Sequence, residues 1–362
     1  MAAEKARGRA GGNRSAATGA MSPLQHGIVD LHFDLPMHLY EHRHRSDVLR
    51  TQFLPELEAG GIGVVVASVF LEARRLPDEA LRVALDQIAR LYHEVERCDR
   101  FAICRSYPEI ERARAAGRIA LVIGLEGAEP LGSDPDLLRV FYELGLRVLG
   151  LTHARRNAAA TGAVFARSGS PPDGLSDFGR DLVHECERLG ILLDLSHINP
   201  AGFDEILELT SQPPVVSHGN ARRFYDIERN LSDEQITSIA QRGGVIGINS
   251  VVVSSRKDEA TIDRYIDHIE HVASLAGIDS VAIGFDFFEF VYRGWSAAER
   301  SDFHRKFSSV HFIPDLANHA HVPNLTQRLI ERGFSDAQIE KIYSGNALRI
   351  LGHLLSAGAK SG

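Results

Sequence analysis

Histidine, carboxylate and amide residues recur in this chain directly after short apolar runs. Seven of eight such runs end on a side chain that could bind a metal, move a proton or hydrogen-bond a substrate. The runs cover residues 27–30, 62–71, 119–125, 146–152, 191–196, 215–217, 245–248 and 281–285. The groups that follow them are His32 with Asp34, then Glu126, His153, His197, His218, Asn249 and Asp286. Because structural histidines have no reason to prefer that position, the pattern indicates an enzyme.

Five of these residues are suitable metal ligands. His32 and Asp34 are alternate residues of one predicted strand, so their side chains should share a face. With Glu126, His197 and His218 they offer more donors than one tetrahedral zinc ion with an open position needs. If Glu126 bridges, each of two ions receives three ligands, and ions about 3.5–4 Å apart can clamp both oxygens of a displacement. The ligand types suit zinc, with manganese or cobalt as alternatives.

Three further residues suit a hydrolytic reaction. Asp286, beside a metal-bound water, could act as general base and then as general acid. His153 could donate a hydrogen bond to a developing oxyanion, and Arg229 could bind a substrate carboxylate through two parallel hydrogen bonds. The simpler alternatives are a salt bridge for Asp286 and a solvated surface charge for Arg229.

The apolar runs alternate with amphipathic stretches, which predicts parallel strands joined by helices. Helices are expected over residues 78–97, 134–144, 177–189, 200–209, 232–242 and 261–276. Ser232 with Gln235, and Ser335 with Gln338, have the spacing of capping boxes. An open doubly wound sheet binds ligands at one switch point, whereas the chemical groups here follow nearly every strand. The sequence therefore predicts an α/β fold, a (β/α)8 TIM barrel with its active site at the carboxyl ends of the strands.

A single barrel domain over residues 24–356 is the expected organisation, with residues 1–23 as a disordered tail and Met21 as an alternative start. The connections 154–176, 219–231 and 287–322 are longer than a barrel needs and should form the walls of a substrate pocket. Residues 325–355 are expected to form closing helices packed over the outside of the barrel.

The composition limits the partners. A formal net charge of -8 argues against nucleic acid, which requires a concentrated basic face. Three cysteines without a CxxC pair give no disulfide framework, so a reducing cytoplasm is expected. The chain has no apolar stretch long enough to cross a membrane, and its start lacks the apolar segment of a secretory signal.

Short motifs in a fixed order carry a family resemblance. They are Asp30-Leu-His-Phe-Asp-Leu-Pro36, Gly124-Leu-Glu-Gly127, Leu151-Thr-His153 with Asn157, Asp194-Leu-Ser-His197, Val216-Ser-His218, Arg229-Asn230, Gly284-Phe-Asp286 and Gly345-Asn-Ala-Leu-Arg349. The series resembles the renal (membrane) dipeptidase family, the M19 zinc peptidases, over residues 27–351. The missing secretory signal, anchor tail and disulfides point to its soluble bacterial members.

The resemblance implies a (β/α)8 barrel of the metal-dependent hydrolase type with a binuclear zinc centre. It implies that His32 and Asp34 hold one zinc ion, that His197 and His218 hold the other, and that Glu126 bridges them. It further implies substrate binding by His153, Asn157 and Arg229, and a proton shuttle at Asp286. The chain departs from the family after Asp286, where Phe288 and Glu289 replace the usual Asp and Gly, so the pocket should have its own shape.

The function expected from the sequence is zinc-dependent hydrolysis of dipeptides by a hydroxide held between two metals. L-L substrates, and L-D substrates as the resemblance implies, are the candidates, and the chain could form a homodimer. One alternative is another barrel hydrolase, such as a lactonase, phosphotriesterase or deaminase. Those commonly begin with His-x-His and often bridge metals by a modified lysine. A second alternative is a metal-binding barrel with little peptidase activity that serves a biosynthetic pathway.

Overall fold

A closed ring of parallel strands forms the centre of the computed structural model, which describes residues 27–164, 173–307 and 310–357. The strands found there are β1 (Ile28–Phe33), β2 (Ile62–Phe70), β3 (Phe101–Ile103), β4 (Ile119–Glu126), β5 (Leu146–Gly150), β6 (Leu192–Asp194), β7 (Val215–Gly219), β8 (Val245–Ile248) and β9 (Val281–Ile283). β1 pairs with β2 and β9, and β2 pairs with β4. Eight strands therefore close on themselves, and the predicted (β/α)8 barrel is confirmed.

Helices connect the strands and surround them. They are α1 (Leu35–Glu41), α2 (Leu54–Ala59), α3 (Ala80–Glu96), α4 (Tyr107–Ala115), α5 (Asp136–Glu143), α6 (Asp177–Leu189), α7 (Pro200–Leu209), α8 (Asp233–Gln241), α9 (Ile262–Ala276), α10 (Glu289–Gly294), α11 (Ala297–Lys306), α12 (Val322–Glu331), α13 (Asp336–Glu340) and α14 (Asn346–Ala357). All six predicted helices are present within a few residues of their expected bounds. Both predicted capping boxes form, at the starts of α8 and α13.

Strand residues alternate between two hydrophobic clusters, as expected for a sheet that is buried on both faces. On β2, Val64 and Val66 pack in one cluster, whereas Val65 and Ala67 pack in the other. The helix α14 joins the cluster that contains Val64 and so covers part of the barrel core. Helices do occur over residues 325–355, as α12, α13 and α14. They were expected over the outside of the barrel, whereas α14 packs on the cluster that takes one face of nearly every strand.

Two regions differ from the sequence-based expectation. The short strand β3 and the helix α4 lie between α3 and β4, where no element was predicted. β3 pairs with the first half of β4, and β5 pairs with the second half, so β3 adds a ninth strand without opening the ring. The connection 287–322 was expected as a long segment with no helix assigned to it, but it contains α10 and α11 and two shorter helical turns.

Other expectations concern parts of the chain outside the described residues. The predicted tail 1–23 lies there, as does part of the connection 154–176, and the domain bounds 24–356 stay a prediction. Within the described ranges, every helix is too short or too polar to cross a bilayer.

Candidate active site

The metal-ligand candidates meet at the carboxyl ends of the barrel strands. Glu126, at the end of β4, is at the centre of the group: its Oε1 lies 3.1 Å from His197 Nε2, 3.3 Å from His218 Nε2 and 3.7 Å from His32 Nε2. His32 Nε2 lies 3.5 Å from Asp34 Oδ1 and 4.0 Å from Asp286 Oδ1. Five strands and the loops after them, those of β1, β4, β6, β7 and β9, therefore bring six side chains together.

These donors fit metal ions. Two ligands of one tetrahedral zinc ion, each about 2.0 Å from the metal, lie roughly 3.3 Å apart, and His197 Nε2 and His218 Nε2 are separated by 2.9 Å. Two sets of three donors share Glu126: one is Glu126, His197 and His218, and the other is His32, Asp34 and Glu126. A third set joins His32, His218 and Asp286. His32 Nε2 and Asp34 Oδ1 are buried, and within the described ranges neither has a hydrogen-bond partner of good geometry, as expected of atoms placed for a cation.

The protonation equilibria of the cluster also favour a bound cation. Burial raises the pKa of Glu126 well above its usual range, although His32 opposes the shift. Burial likewise raises the pKa of Asp286 to about 7. For His32, burial lowers the pKa, but the surrounding carboxylates, Glu126 foremost, outweigh it and raise the value to about 10. The side chains thus crowd more negative charge into one buried volume than they can neutralise without protons or metal ions.

Two of the histidines are prepared to act as neutral ligands. Burial lowers the pKa of His197 and of His218 well below the usual value, and the nearby Arg229 guanidinium adds to both shifts. A neutral imidazole keeps a lone pair for a metal, whereas a protonated ring cannot coordinate. The cationic arginine therefore helps to keep these rings in the ligating form.

The backbone turns sharply at two of the site residues. His197, after β6, and Asp286, after β9, have φ values of 63° and 57°, in the left-handed region that non-glycine residues rarely adopt. Such conformations cost of order 1–3 kcal/mol and persist where the surrounding structure enforces them. Both residues face the cluster, so the strain is located where the chain leaves a strand and delivers a functional group.

Hydrogen bonds behind the cluster orient two of the imidazole rings. Ser68 Oγ, on β2, lies 3.2 Å from His32 Nδ1, and Ser217 Oγ lies 2.8 Å from His218 Nδ1. Ser217 in turn donates to Asp194 Oδ2 at 2.5 Å. Because each bond engages Nδ1, the opposite nitrogen, Nε2, points into the cluster, as is usual for metal-binding histidines.

A buried pair, Asp30 and His319, joins β1 to the segment that precedes α12. His319 Nε2 lies 2.8 Å from Asp30 Oδ2, and both side chains are almost completely buried. Asp30 Oδ1 accepts hydrogen bonds from the backbone N–H groups of His32 and Phe285. One carboxylate therefore fixes the backbone of a ligand candidate and the backbone just before Asp286.

The other predicted site residues have different surroundings. The His153 ring is centred 4.3 Å from that of His197, and burial lowers its pKa well below the usual value. Arg229 is buried; its Nη2 donates to the His218 carbonyl at 2.7 Å, and its Nε lacks a hydrogen-bond partner among the described residues. Asn249 Nδ2 donates to Asp286 Oδ2 at 2.9 Å and so orients that carboxylate.

Asn157 is not brought to the cluster. Its Nδ2 donates to the Leu151 carbonyl at 2.8 Å, and its Oδ1 accepts from the N–H groups of Ala159 and Ala160. The amide is therefore occupied by the backbone of its own loop, and Asn157 is absent from the described residues that line the cavity. The geometry gives it a role in shaping the loop, and substrate binding by Asn157 stays a prediction.

An open cavity of about 630 Å³ leads to the cluster. The floor of the cavity is polar and consists of Asp34, Glu126, His153, His197, Arg229, Asn249 and Asp286. The predicted wall segment 287–322 contributes to its sides, and Phe288, at one of the positions where the chain departs from the family pattern, faces the cavity.

Sequence reasoning missed the groups that support the ligand candidates. Ser68 follows no motif, and His319 is 289 positions from Asp30 along the chain, so their pairing has no local signal. Asp30 itself had one: it lies in the same strand, two residues before His32. A carboxylate two residues before a ligand candidate on the same strand can be predicted to hold that ligand in place by hydrogen bonds.

Imidazole and carboxylate groups at the carboxyl mouth of a closed parallel barrel define a metal-dependent hydrolase. Comparison with known proteins gives the family. The family described as membrane dipeptidase, peptidase family M19, matches residues 23–305. The chain therefore belongs to the M19 peptidases, enzymes that act on peptide bonds with the help of metal, as the sequence predicted.

Individual relatives agree with this assignment. A dipeptidase of Schizosaccharomyces pombe is 30% identical over 349 residues, covering 89% of this chain and 79% of its own. The crystal structure of dipeptidase AC, an M19 metallopeptidase, aligns with a TM-score of 0.80 and 26% identity over 91% of this chain and 99% of its own. A metallopeptidase from Rhodobacter sphaeroides, liganded with a phosphinate mimic of the dipeptide L-Ala-D-Ala, aligns with a TM-score of 0.79, 25% identity and the same coverage.

The Asp30–His319 pair supplies the first testable prediction. In His319→Ala the buried Asp30 carboxylate loses its partner, so the free energy of unfolding should fall by about 1–3 kcal/mol. Loss of a supporting hydrogen bond should also weaken metal binding by roughly 10–100-fold. Chemical denaturation and metal titration measure the two effects. His321→Ala, in the same helical turn, is the matched control, and equal metal affinity in both variants would contradict a supporting role for His319.

Proposed function

We propose that this protein is a dipeptidase that works with two zinc ions, for which manganese or cobalt are alternatives. The observation that carries the proposal is the position of Glu126, whose Oε1 is within 3.7 Å of three imidazole nitrogens. His32 and Asp34 would hold one ion, His197 and His218 would hold the other, and Glu126 would contact both. When bound, the ions would acidify a water molecule and polarise the scissile carbonyl.

Asp286 is suited to move a proton. Its Oδ2 is held by Asn249, and its Oδ1 faces the cluster, 4.0 Å from His32 Nε2. Burial raises its pKa to about 7, close to the value at which a carboxyl group can both take and give a proton at neutral pH. We infer that Asp286 takes a proton at Oδ1 as water attacks and delivers it to the departing amine.

His153 and Arg229 would position the dipeptide. Burial lowers the pKa of His153 well below the usual value, so its ring is neutral at neutral pH. A neutral ring carries one N–H, which can donate to the carbonyl oxygen as negative charge develops there. Arg229 lines the cavity, and its Nη2 lies 3.3 Å from His197 Nε2, so its guanidinium is placed to donate to a carboxylate on a ligand. The terminal carboxylate of a dipeptide would accept these hydrogen bonds. A longer peptide would place its carboxylate elsewhere, which limits substrates to two residues.

The range of substrates is also part of the proposal. The Rhodobacter sphaeroides relative holds a mimic of L-Ala-D-Ala, so we propose that L-D dipeptides are cleaved as well as L-L ones. Family membership favours peptide hydrolysis over the lactonase, phosphotriesterase and deaminase alternatives. A metal-binding barrel with little peptidase activity, in a biosynthetic pathway, is the second candidate, because Phe288 and Glu289 alter the segment next to Asp286. The cytoplasmic location and a homodimer stay predictions.

Replacing the proton-transfer group tests the mechanism. Asp286→Asn keeps the size of the side chain but cannot accept the proton, so kcat should fall by roughly 10²–10⁴. Metal content and thermal stability, measured in parallel, should remain close to those of the wild type. Asp258→Asn, which changes an exposed carboxylate in the connection after β8, is the control. Turnover within a few fold of the wild type in Asp286→Asn would rule out this role.

Replacing the guanidinium tests carboxylate recognition. The wild type should hydrolyse Ala-Ala far better than Ala-Ala amide, which has no terminal carboxylate. In Arg229→Met this preference should shrink by roughly 10–100-fold, the value of hydrogen bonds to a charged group, mainly through KM for the free dipeptide. Arg223→Met, which changes an exposed arginine of the same loop, should keep the wild-type preference. An unchanged ratio in Arg229→Met would show that another group binds the carboxylate.

A further inference from the structure

The cavity beyond the metal-ligand cluster has an aromatic wall, which consists of Phe70, Phe288, Trp295, Phe303 and Phe307. All five side chains are half-buried. Three of the other rings pack around Phe303, which is centred 5.3 Å from Trp295, 5.1 Å from Phe307 and 5.8 Å from Phe288. Four of the five come from residues 288–307, the segment that carries α10 and α11. This part of the cavity therefore presents a cluster of aromatic surface.

The aromatic wall begins at the catalytic floor. The His153 ring is centred 4.8 Å from Phe70, 6.4 Å from Phe307 and 4.3 Å from the tilted ring of His197. A dipeptide whose carbonyl is near His153 would therefore place a side chain against these rings. The wall and the reaction site form one cavity.

The charged residues that line the cavity outside the cluster already have partners in the protein. Glu72 pairs with Arg74, Arg155 with Glu129, and Asp302 with Arg305, each at 2.6 Å, and Glu299 accepts the backbone N–H of Ser296 at 2.7 Å. A charged substrate side chain entering the cavity would lose water and would have to compete with these pairs for a counter-ion. Desolvation of an unpaired charge is unfavourable, so the wall disfavours such substrates.

We propose that the aromatic wall makes this enzyme selective for dipeptides that carry a bulky apolar side chain, aromatic or large aliphatic. The selectivity rests on the proposed dipeptidase function. Apolar surface removed from water stabilises a complex in proportion to its area. Because the rings are held by mutual packing, a large side chain covers them without first having to order them. A methyl group leaves most of that surface in contact with water.

Steady-state hydrolysis by the metal-loaded, full-length protein tests the proposal. Two substrate series, Xaa-Ala and Ala-Xaa, should be measured with Xaa as Phe, Leu, Ala, Asp and Lys. In at least one series we expect kcat/KM for Phe and Leu to exceed that for Ala by about 10-fold or more. Asp and Lys should be poorer than Phe and Leu in the same series. The series that shows the preference identifies which residue of the dipeptide contacts the wall.

Variants link the preference to the wall. In Phe303→Ala and in Trp295→Ala, the ratio of kcat/KM for the Phe substrate to that for Ala-Ala should fall several-fold towards one. Phe334→Ala, which removes a ring between α12 and α13, outside the lining of the cavity, is the matched control and should keep the wild-type ratio. Thermal melting of each variant verifies folding. The wild-type series tests whether the preference exists, and the variants test whether the aromatic wall causes it.

The outcomes separate this proposal from the proposed function. Hydrolysis of dipeptides with no preference for Phe and Leu in either series, or with a preference for Ala, Asp or Lys, would overturn the selectivity and leave the dipeptidase function intact. If none of the dipeptides is hydrolysed, both the selectivity and the proposed dipeptidase function are overturned. An apolar preference that is unchanged in Phe303→Ala and Trp295→Ala would overturn the role of the aromatic wall, because another surface would then bind the substrate side chain.

Discussion

A carboxylate buried among imidazoles and further carboxylates is the constraint on which this site depends. The side chain of Glu126 is only 7% exposed, and its Oε1 contacts imidazoles that come from three different strands or strand ends. Removing an ionised carboxylate from water costs several kcal/mol unless a compensating charge accompanies it. Asp34 and Asp286 increase the negative charge that must be compensated. Among the neighbouring imidazoles only His32 has a raised pKa. Metal ions bound by the same atoms would supply the missing positive charge.

The barrel brings these charged residues together because of its geometry. Each strand ends at the same rim, so residues far apart in the chain are placed within a few ångströms of one another without a long search through loop conformations. The departures from regular structure occur at the same rim. The left-handed backbone at His197 and Asp286 turns each side chain inward, and the Asp30 carboxylate ties two strand ends together. Rigid support of this kind holds the ligand candidates in position before any ligand binds.

The sequence could predict the ring of strands and most of the cluster because both follow from local rules. Buried parallel strands appear as apolar runs, and catalytic groups follow their carboxyl ends, so His32, Glu126 and His218 could be identified from position alone. The His319 contact to Asp30 could not be identified, because it depends on folding that joins distant segments. Asn157 has a residue type that suits substrate binding, but the backbone of its own loop takes up its amide. The helix α10 was missed because it has only six residues. The helix α11 was missed because its ten residues include one large apolar side chain, Phe303, and so show no apolar stripe at helical spacing. These two helices carry much of the aromatic wall, so the shape of the cavity was the part least accessible to sequence reasoning.

The most direct test of this account is a crystal structure of the zinc-loaded protein, with anomalous scattering used to locate the metal. The account predicts two ions in each chain, with Glu126 bound to both, His32 and Asp34 on one, and His197 and His218 on the other. A single ion at full occupancy, or a Glu126 side chain turned away from the histidines, would contradict it.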